Sequence, residues 1–169
     1  VVQEAAKITE GLLAPINQGG DQQGCQFENG LVTTPAGFKE AYAAYTQGGW
    51  PGLTGSVDYG GQGMPKMLSA IIEEMAFAAN SSFALYTILT TGASLSLSLH
   101  GSEELKRTYL PRMYEGAWSG SMCLTEPQAG TDLGMIRTRA VPSADGSYKL
   151  SGSKIFITGG EHDLTENII

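Results

Sequence analysis

At 169 residues the chain is long enough to bury roughly two thirds of the surface its unfolded form exposes, room for one domain or for a helical domain with part of another. Its formal net charge of −7 opposes sequence-independent binding to nucleic-acid phosphates, which depends on clustered Lys and Arg. Charged residues make up only 16% of the chain, below the roughly one quarter usual in soluble domains, so part of the surface is expected to be covered by a partner domain or subunit.

Val1, Val2, Ala5, Ile8, Leu12 and Leu13 recur near helical spacing and predict an amphipathic opening helix that stops before Pro15, with Gly19 to Gly24 as loop. Thr34 as N-cap with Pro35 at the first helical position starts a second helix, on which Phe38, Tyr42 and Tyr45 share one face. That stripe is read as core packing in preference to a ligand box. Gly48 to Gly63, with Trp50-Pro51, is a loop of tight turns. It lacks the G-x-G-x-x-G spacing after a strand, and no G-x-x-x-x-G-K-[ST] occurs, which excludes both nucleotide-binding readings. Pro65 then opens a helix with Leu68, Ile71, Ile72, Met75 and Ala79 on one apolar face.

Met75 to Ser102 contains no Asp, Glu, Lys or Arg, but Ser and Thr interrupt it too often for a membrane span, so a helix buried on all sides by protein is expected. Within it Ser94 to Leu99 alternates polar and apolar, a local signal for strand. Ser102 is placed to cap the next helix, with Glu103 and Glu104 in the first turn and Pro111 limiting its extent. His100 falls where a helix C-terminus favours a cation, a structural role preferred over catalysis. Beyond Ala117 short alternating runs (Ile136 to Val141, Tyr148 to Leu150, Lys154 to Thr158) predict a sheet, with Ala144-Asp145-Gly146 as a hairpin signal. Asn167-Ile168-Ile169 reads as the start of another strand, which makes the chain the expected front part of a longer polypeptide. Cys25 and Cys123 show no pairing pattern and no metal spacing with His100 or His162, and are read as free thiols in a reducing compartment. Asn80-Ser81-Ser82 spells a glycosylation sequon but follows no secretory signal, and is given no role.

The most informative stretch is Cys123 to Gly134, CLTEPQAGTDLG. Ser121 to Leu124 reads as the end of a buried strand, and Pro127 with Gly130 forces an irregular turn whose amides and hydroxyls, Thr125 and Thr131, can converge on one partner. An ordinary strand-to-loop corner is the alternative. The segment resembles the signature of the flavin-dependent acyl-CoA dehydrogenases: small residue, aliphatic, Ser/Thr, Glu, two residues, small, Gly, Ser/Thr, Asp. Cys123, Leu124, Thr125, Glu126, Ala129, Gly130, Thr131 and Asp132 fit it, while Met135 departs from the family's usual small residue. Ser56 to Gly63 is similar to the family's lead into its helical core. His100 to Met113 is similar to its last helix before the sheet, and Leu150 to Gly160 to its second flavin-contacting strand. Thr33 to Leu53 resembles a larger subgroup that includes methylmercaptopropionyl-CoA dehydrogenases.

The resemblance implies an α+β architecture: an all-α bundle over residues 1–116, then the beginning of a β-barrel or sheet domain over 117–169, with the C-terminal helical domain absent. It implies FAD-dependent α,β-dehydrogenation of an acyl-CoA thioester. Met122, Cys123, Leu124, Thr125, Gly130, Thr131, Phe156, Ile157 and Thr158 are the implied flavin contacts, with Thr131 also at the substrate. Thr125 and Thr158 are the expected hydrogen-bond donors to the ring. Glu126 is the carboxylate that residues alone nominate as general base. The family's base comes instead from the C-terminal helical domain, so this chain is expected to hold no catalytic residue, with Glu126 and Asp132 bracing the loop. An electron-transferring flavoprotein as acceptor, a homo-oligomer and a cytoplasmic setting are also expected. An acyl-CoA oxidase and a non-catalytic helical interaction module are the competing readings.

Overall fold

The computed structural model describes all 169 residues, in two compact units: Val1–Ser121 together with Gly159–Ile169, and Met122–Thr158. The first is a helical bundle. Its opening helix does not stop before Pro15: α1 (Val2–Ile8) passes through a π turn (Thr9–Leu13) into α2 (Ala14–Gln23). Pro15 has no N–H to give and its ring crowds the carbonyl four residues back; the wider turn, in which the Ala14 amide reaches the Thr9 carbonyl, accommodates both. The helix therefore runs through Gly19–Gln23, a stretch expected to be loop. A hairpin of β1 (Gln26–Glu28) and β2 (Leu31–Thr33) follows, turning at Asn29 and Gly30, both at positive φ.

Thr34 caps no helix. Its amide and hydroxyl both donate to Asp163 Oδ1, at 3.0 and 2.7 Å, and α3 (Phe38–Gln47) begins only after Gly37 at φ +87°. Phe38 and Tyr42 are buried with Phe83 in the main core, as the stripe predicts. The glycine-rich loop folds back on itself and onto Tyr114, so that a Cβ at Gly61 would meet the Gly55 carbonyl at 2.3 Å.

The uncharged stretch is broken at Asn80 into α4 (Lys66–Ala79) and α5 (Ser81–His100). Asn80 is 1% exposed; its carbonyl oxygen Oδ1 accepts the Phe83 amide and its Nδ2 donates to the Leu13 carbonyl, so the sequon residue is a helix cap tied to the π turn. By length and composition alone α5 is apolar enough to cross a membrane. Phe83, Ala84, Thr90 and Ser94 are buried, but Leu85, Leu95 and Leu99 are exposed, so the helix is not enclosed on all sides within this chain. Thr87, Thr90 and Thr91 return their hydroxyls to carbonyls of the preceding turn, which satisfies them inside the bundle, and burial of Phe83, Ala84, Thr90 and Ser94 on one side holds the segment helical against the local alternation of Ser94–Leu99. Ser102 caps α6 (Glu103–Tyr114) through the Leu105 amide. Pro111 lies inside that helix and does not end it, because burial of Leu110, Met113 and Tyr114 outweighs the hydrogen bond lost at the proline. His100 is the exposed last residue of α5.

Gly159–Ile169 closes the first unit. β6 (Asn167–Ile168) pairs in parallel with β3 (Trp118–Ser119), and Arg112 pairs with Glu166. His162, 5% exposed, packs edge-on to Tyr86 with centroids 5.0 Å apart. The Leu164 amide donates to its Nδ1, so the ring proton lies on Nε2 and is donated to Ser119 Oγ at 3.0 Å; Ser119 then donates to Thr165, and Thr165 to the Asn167 carbonyl. Burial pushes the His162 pKa below its ordinary 6.5, against the opposing charges of Glu161 and Asp163. The unfolded chain then binds the proton more readily than the folded one, so this contribution to stability is complete above the ordinary value and is lost as pH falls through the lower folded value. Denaturation midpoints at about pH 7.5 and about pH 5.5 should fall more for the native chain than for His162→Gln. Equal falls would remove His162 from the pH dependence.

In the second unit β4 (Arg139–Pro142) and β5 (Tyr148–Ser151) form the hairpin that Asp145-Gly146 predicts, with Asp145 Oδ1 accepting from Ser147 and Gly146 at φ +84°. Two other expected strands do not form. The Ser121–Leu124 segment has no ladder and leaves Met122 60% exposed. Lys154–Thr158 is held to the signature segment through the Ile155 amide and the Thr125 carbonyl, without the alternating pairs that make a strand.

Candidate functional site

The signature turn is built on Glu126. Its amide and carbonyl pair with those of Ala129 at 2.9 and 3.0 Å, closing a tight turn with Pro127 at its second position. Glu126 is 3% exposed and its carboxylate accepts from four groups: the Arg137 amide (2.8 Å), the Thr138 amide (3.0 Å), Lys154 Nζ (2.9 Å) and Gln128 Nε2 (2.6 Å). The neighbouring Thr138 hydroxyl, the Arg137 amide and the Lys154 ammonium hold this carboxyl well below the usual carboxylate range. A carboxylate so enclosed stays ionised and has no lone pair aimed at a substrate, the geometry of a brace and the opposite of a general base. Asp132 braces the next turn: its Oδ1 accepts the Gly134 amide and its carbonyl the Met135 amide. Met135 itself is 47% exposed.

Lys154 joins the two segments that the sequence marks for cofactor. Its ammonium donates to the Leu124 carbonyl at 2.8 Å as well as to Glu126, and one residue on, the Ile155 amide donates to the Thr125 carbonyl at 2.9 Å. Leu124–Glu126 and Lys154–Thr158 are thereby laid side by side. Leu124 and Thr125 are half-buried at the seam; Met122, Cys123, Gly130, Thr131, Phe156, Ile157 and Thr158 are exposed. Sequence reasoning assigned Lys154 no role. The available signal was a lone cation ahead of an apolar run, which needs an anion once partly buried, and Glu126 is the carboxylate inside the motif.

Phe156 is the backbone outlier of the unit. Its φ of +55° lies in the left-handed region, which costs a non-glycine residue roughly 1–2 kcal/mol, yet its side chain is 85% exposed. An exposed aromatic held on strained backbone makes no packing contact that offsets the strain, so the compensation is expected from a bound group. Gly130 points the same way: a Cβ there would meet nothing within 4 Å, so no contact of the chain requires the glycine.

Residues 2–117 match the family model of the acyl-CoA dehydrogenase N-terminal domain, and residues 121–165 that of the middle domain. The chain belongs to the acyl-CoA dehydrogenase family. It is 45% identical over 168 residues to the 3-methylmercaptopropionyl-CoA dehydrogenase of Ruegeria pomeroyi, covering 99% of this chain and 29% of that protein. Butyryl-CoA dehydrogenase from Megasphaera elsdenii superposes with a TM-score of 0.79 at 29% identity, covering 94% of this chain and 40% of the other. An acyl-CoA dehydrogenase from Bacillus anthracis, solved in complex with FAD, superposes at 0.77 with 28% identity, covering 94% and 26%. The chain thus spans less than a third of the length of its curated relative. For a member of this family, the residues of the second unit fit a flavin. Exposed apolar groups (Met122, Phe156, Ile157) suit the flat ring, the hydroxyls of Thr125, Thr131 and Thr158 suit its polar edge and phosphates, and open space at Gly130 permits backbone approach.

Proposed function

We propose that this chain supplies the flavin-contacting part of an enzyme that α,β-dehydrogenates an acyl-CoA thioester. The observation that carries the reading is the Lys154 junction, which sets the signature turn beside the strained, exposed Phe156. FAD, when bound, supplies the hydride acceptor for the β-hydrogen. Thr125 and Thr158 orient the ring's polar edge and stabilise negative charge arriving there. Met122, Phe156 and Ile157 exclude water from its faces, and Thr131 binds a phosphate of substrate or cofactor. Glu126, Lys154 and Asp132 hold these groups in register, and no carboxylate of the second unit is assigned as the base. The expected electron acceptor is an electron-transferring flavoprotein.

In the complete enzyme, Thr125→Val and Thr158→Val should each weaken flavin binding or reduction by about 1–3 kcal/mol, the cost of leaving a polar partner unpaired. Flavin absorbance after gel filtration and the rate of reduction by an acyl-CoA substrate measure the two effects. Unchanged cofactor content and unchanged rate in both variants would place the flavin elsewhere.

A further inference from the structure

The open end of the β4–β5 hairpin runs onto the carboxylate that aligns the two flavin segments. The last ladder pair is Arg139–Ser151, and one step further Thr138 and Gly152 stand opposite each other at very close range. A Cβ at Gly152 would lie 2.1 Å from Thr138 Oγ1 and 2.8 Å from Thr138 Cα. The second of these atoms is backbone, so no change of rotamer makes room, and only glycine lets the two chains approach this far.

Both chains then reach Glu126. Thr138 gives its amide to Oε1 at 3.0 Å, and Lys154, two residues beyond Gly152, gives its ammonium to the same oxygen at 2.9 Å. The Thr138 hydroxyl is enclosed at this crossing. Its Oγ1 is buried and meets no other polar partner, and the charged group beside it is the Glu126 carboxylate, whose pKa it lowers more than any other neighbour does. Lys154 leads within two residues to Phe156, the exposed residue at φ +55°. The placing of Phe156 thus depends on contacts in series: Gly152 on Thr138, Thr138 on Glu126, and Glu126 on Lys154.

We infer that Thr138 and Gly152 are positioning residues for the flavin-contacting segments, Gly152 by permitting the crossing and Thr138 by fixing the Glu126 carboxylate that Lys154 grips. The inference rests on the flavin reading of this site. Neither residue is among those that the sequence marks for cofactor, and both act through Glu126. An enclosed carboxylate flanked by an amide, an ammonium and a hydroxyl keeps one orientation. Without the hydroxyl a methyl group stands against the charge, which is unfavourable and lets the carboxylate turn.

Titration of the complete apoenzyme with FAD, read by quenching of flavin fluorescence, tests this. Thr138→Val should weaken binding about tenfold, Thr138→Ser, which keeps the hydroxyl, by no more than about twofold, and Gly152→Ala at least as much as Thr138→Val. In a Glu126→Gln background Thr138→Val should cost almost nothing further, whereas a threonine that only fills space would weaken both backgrounds alike. Each variant should keep the native far-ultraviolet circular dichroism, because the α-helices all lie in the other unit. Native affinity in Thr138→Val and Gly152→Ala, a serine variant as weak as the valine one, or equal losses in the two backgrounds would overturn the assignment. Thr125→Val and Thr158→Val in the same titration separate the two levels of failure. If they too bind FAD like the native enzyme, the flavin reading itself fails; if they lose affinity while Thr138→Val and Gly152→Ala do not, only the positioning role fails.

Discussion

Phe83→Ala should destabilise the helical unit by about 3–5 kcal/mol, the range for truncating a fully buried aromatic into a cavity its neighbours cannot fill. Phe83 has no exposed surface, and its ring meets Phe38, Tyr42 and Tyr45 at centroid separations of 5.8, 6.4 and 6.2 Å. These rings come from α3 and from the start of α5, so one side chain couples elements distant in sequence. Urea denaturation followed by far-ultraviolet circular dichroism gives the number, with Phe83→Leu as a milder control. A loss below about 1 kcal/mol would mean that α3 and α5 collapse into the space and that the aromatic cluster is not the centre of the core.

Lys154→Met in the complete enzyme should reduce flavin affinity on the order of a hundredfold, because it leaves Glu126 charged and enclosed and frees the Leu124 carbonyl at the same time. The loss should be partly reversed by adding Glu126→Gln, which removes the uncompensated charge while keeping an acceptor for the Arg137 or Thr138 amide. Titration of apoprotein with FAD, read by quenching of flavin fluorescence, measures Lys154→Met, Glu126→Gln and the double variant. Affinity unchanged in Lys154→Met would show that the junction is not what aligns the two segments. A double variant as weak as the product of the two single ones would show that the two residues act independently.

Much of the candidate site is legible in order along the chain, because its parts are local. Pro127, Gly130 and Asp132 dictate turns through their own backbones, Ser102 caps the helix that follows it, and Asp145-Gly146 makes its hairpin. The β1–β2 hairpin at Asn29-Gly30, absent from the elements expected from the sequence, turns by the same local chemistry. The two buried asparagine and histidine networks had weaker local marks: Asn80 precedes two serines and reads as a sequon, and His162 stands between two acidic residues that disguise its burial.

Local chemistry in the amino-acid sequence determined the family, the helical character of the first part, and the identity of the residues that form the signature turn. What it left open depends on partners far away in the chain. Thr34 is taken from its expected cap by Asp163, which lies 129 residues on, and the helix through Pro15 persists because a π turn accommodates the proline and buried Asn80 donates to the Leu13 carbonyl. Pro111 stays helical because its neighbours are buried. Likewise Glu126 is a brace only because Lys154 and the Arg137 and Thr138 amides reach it from 11 to 28 residues away. A carboxylate's role, base or brace, follows from the number of donors that surround it in space, and periodicity along the sequence does not contain that number.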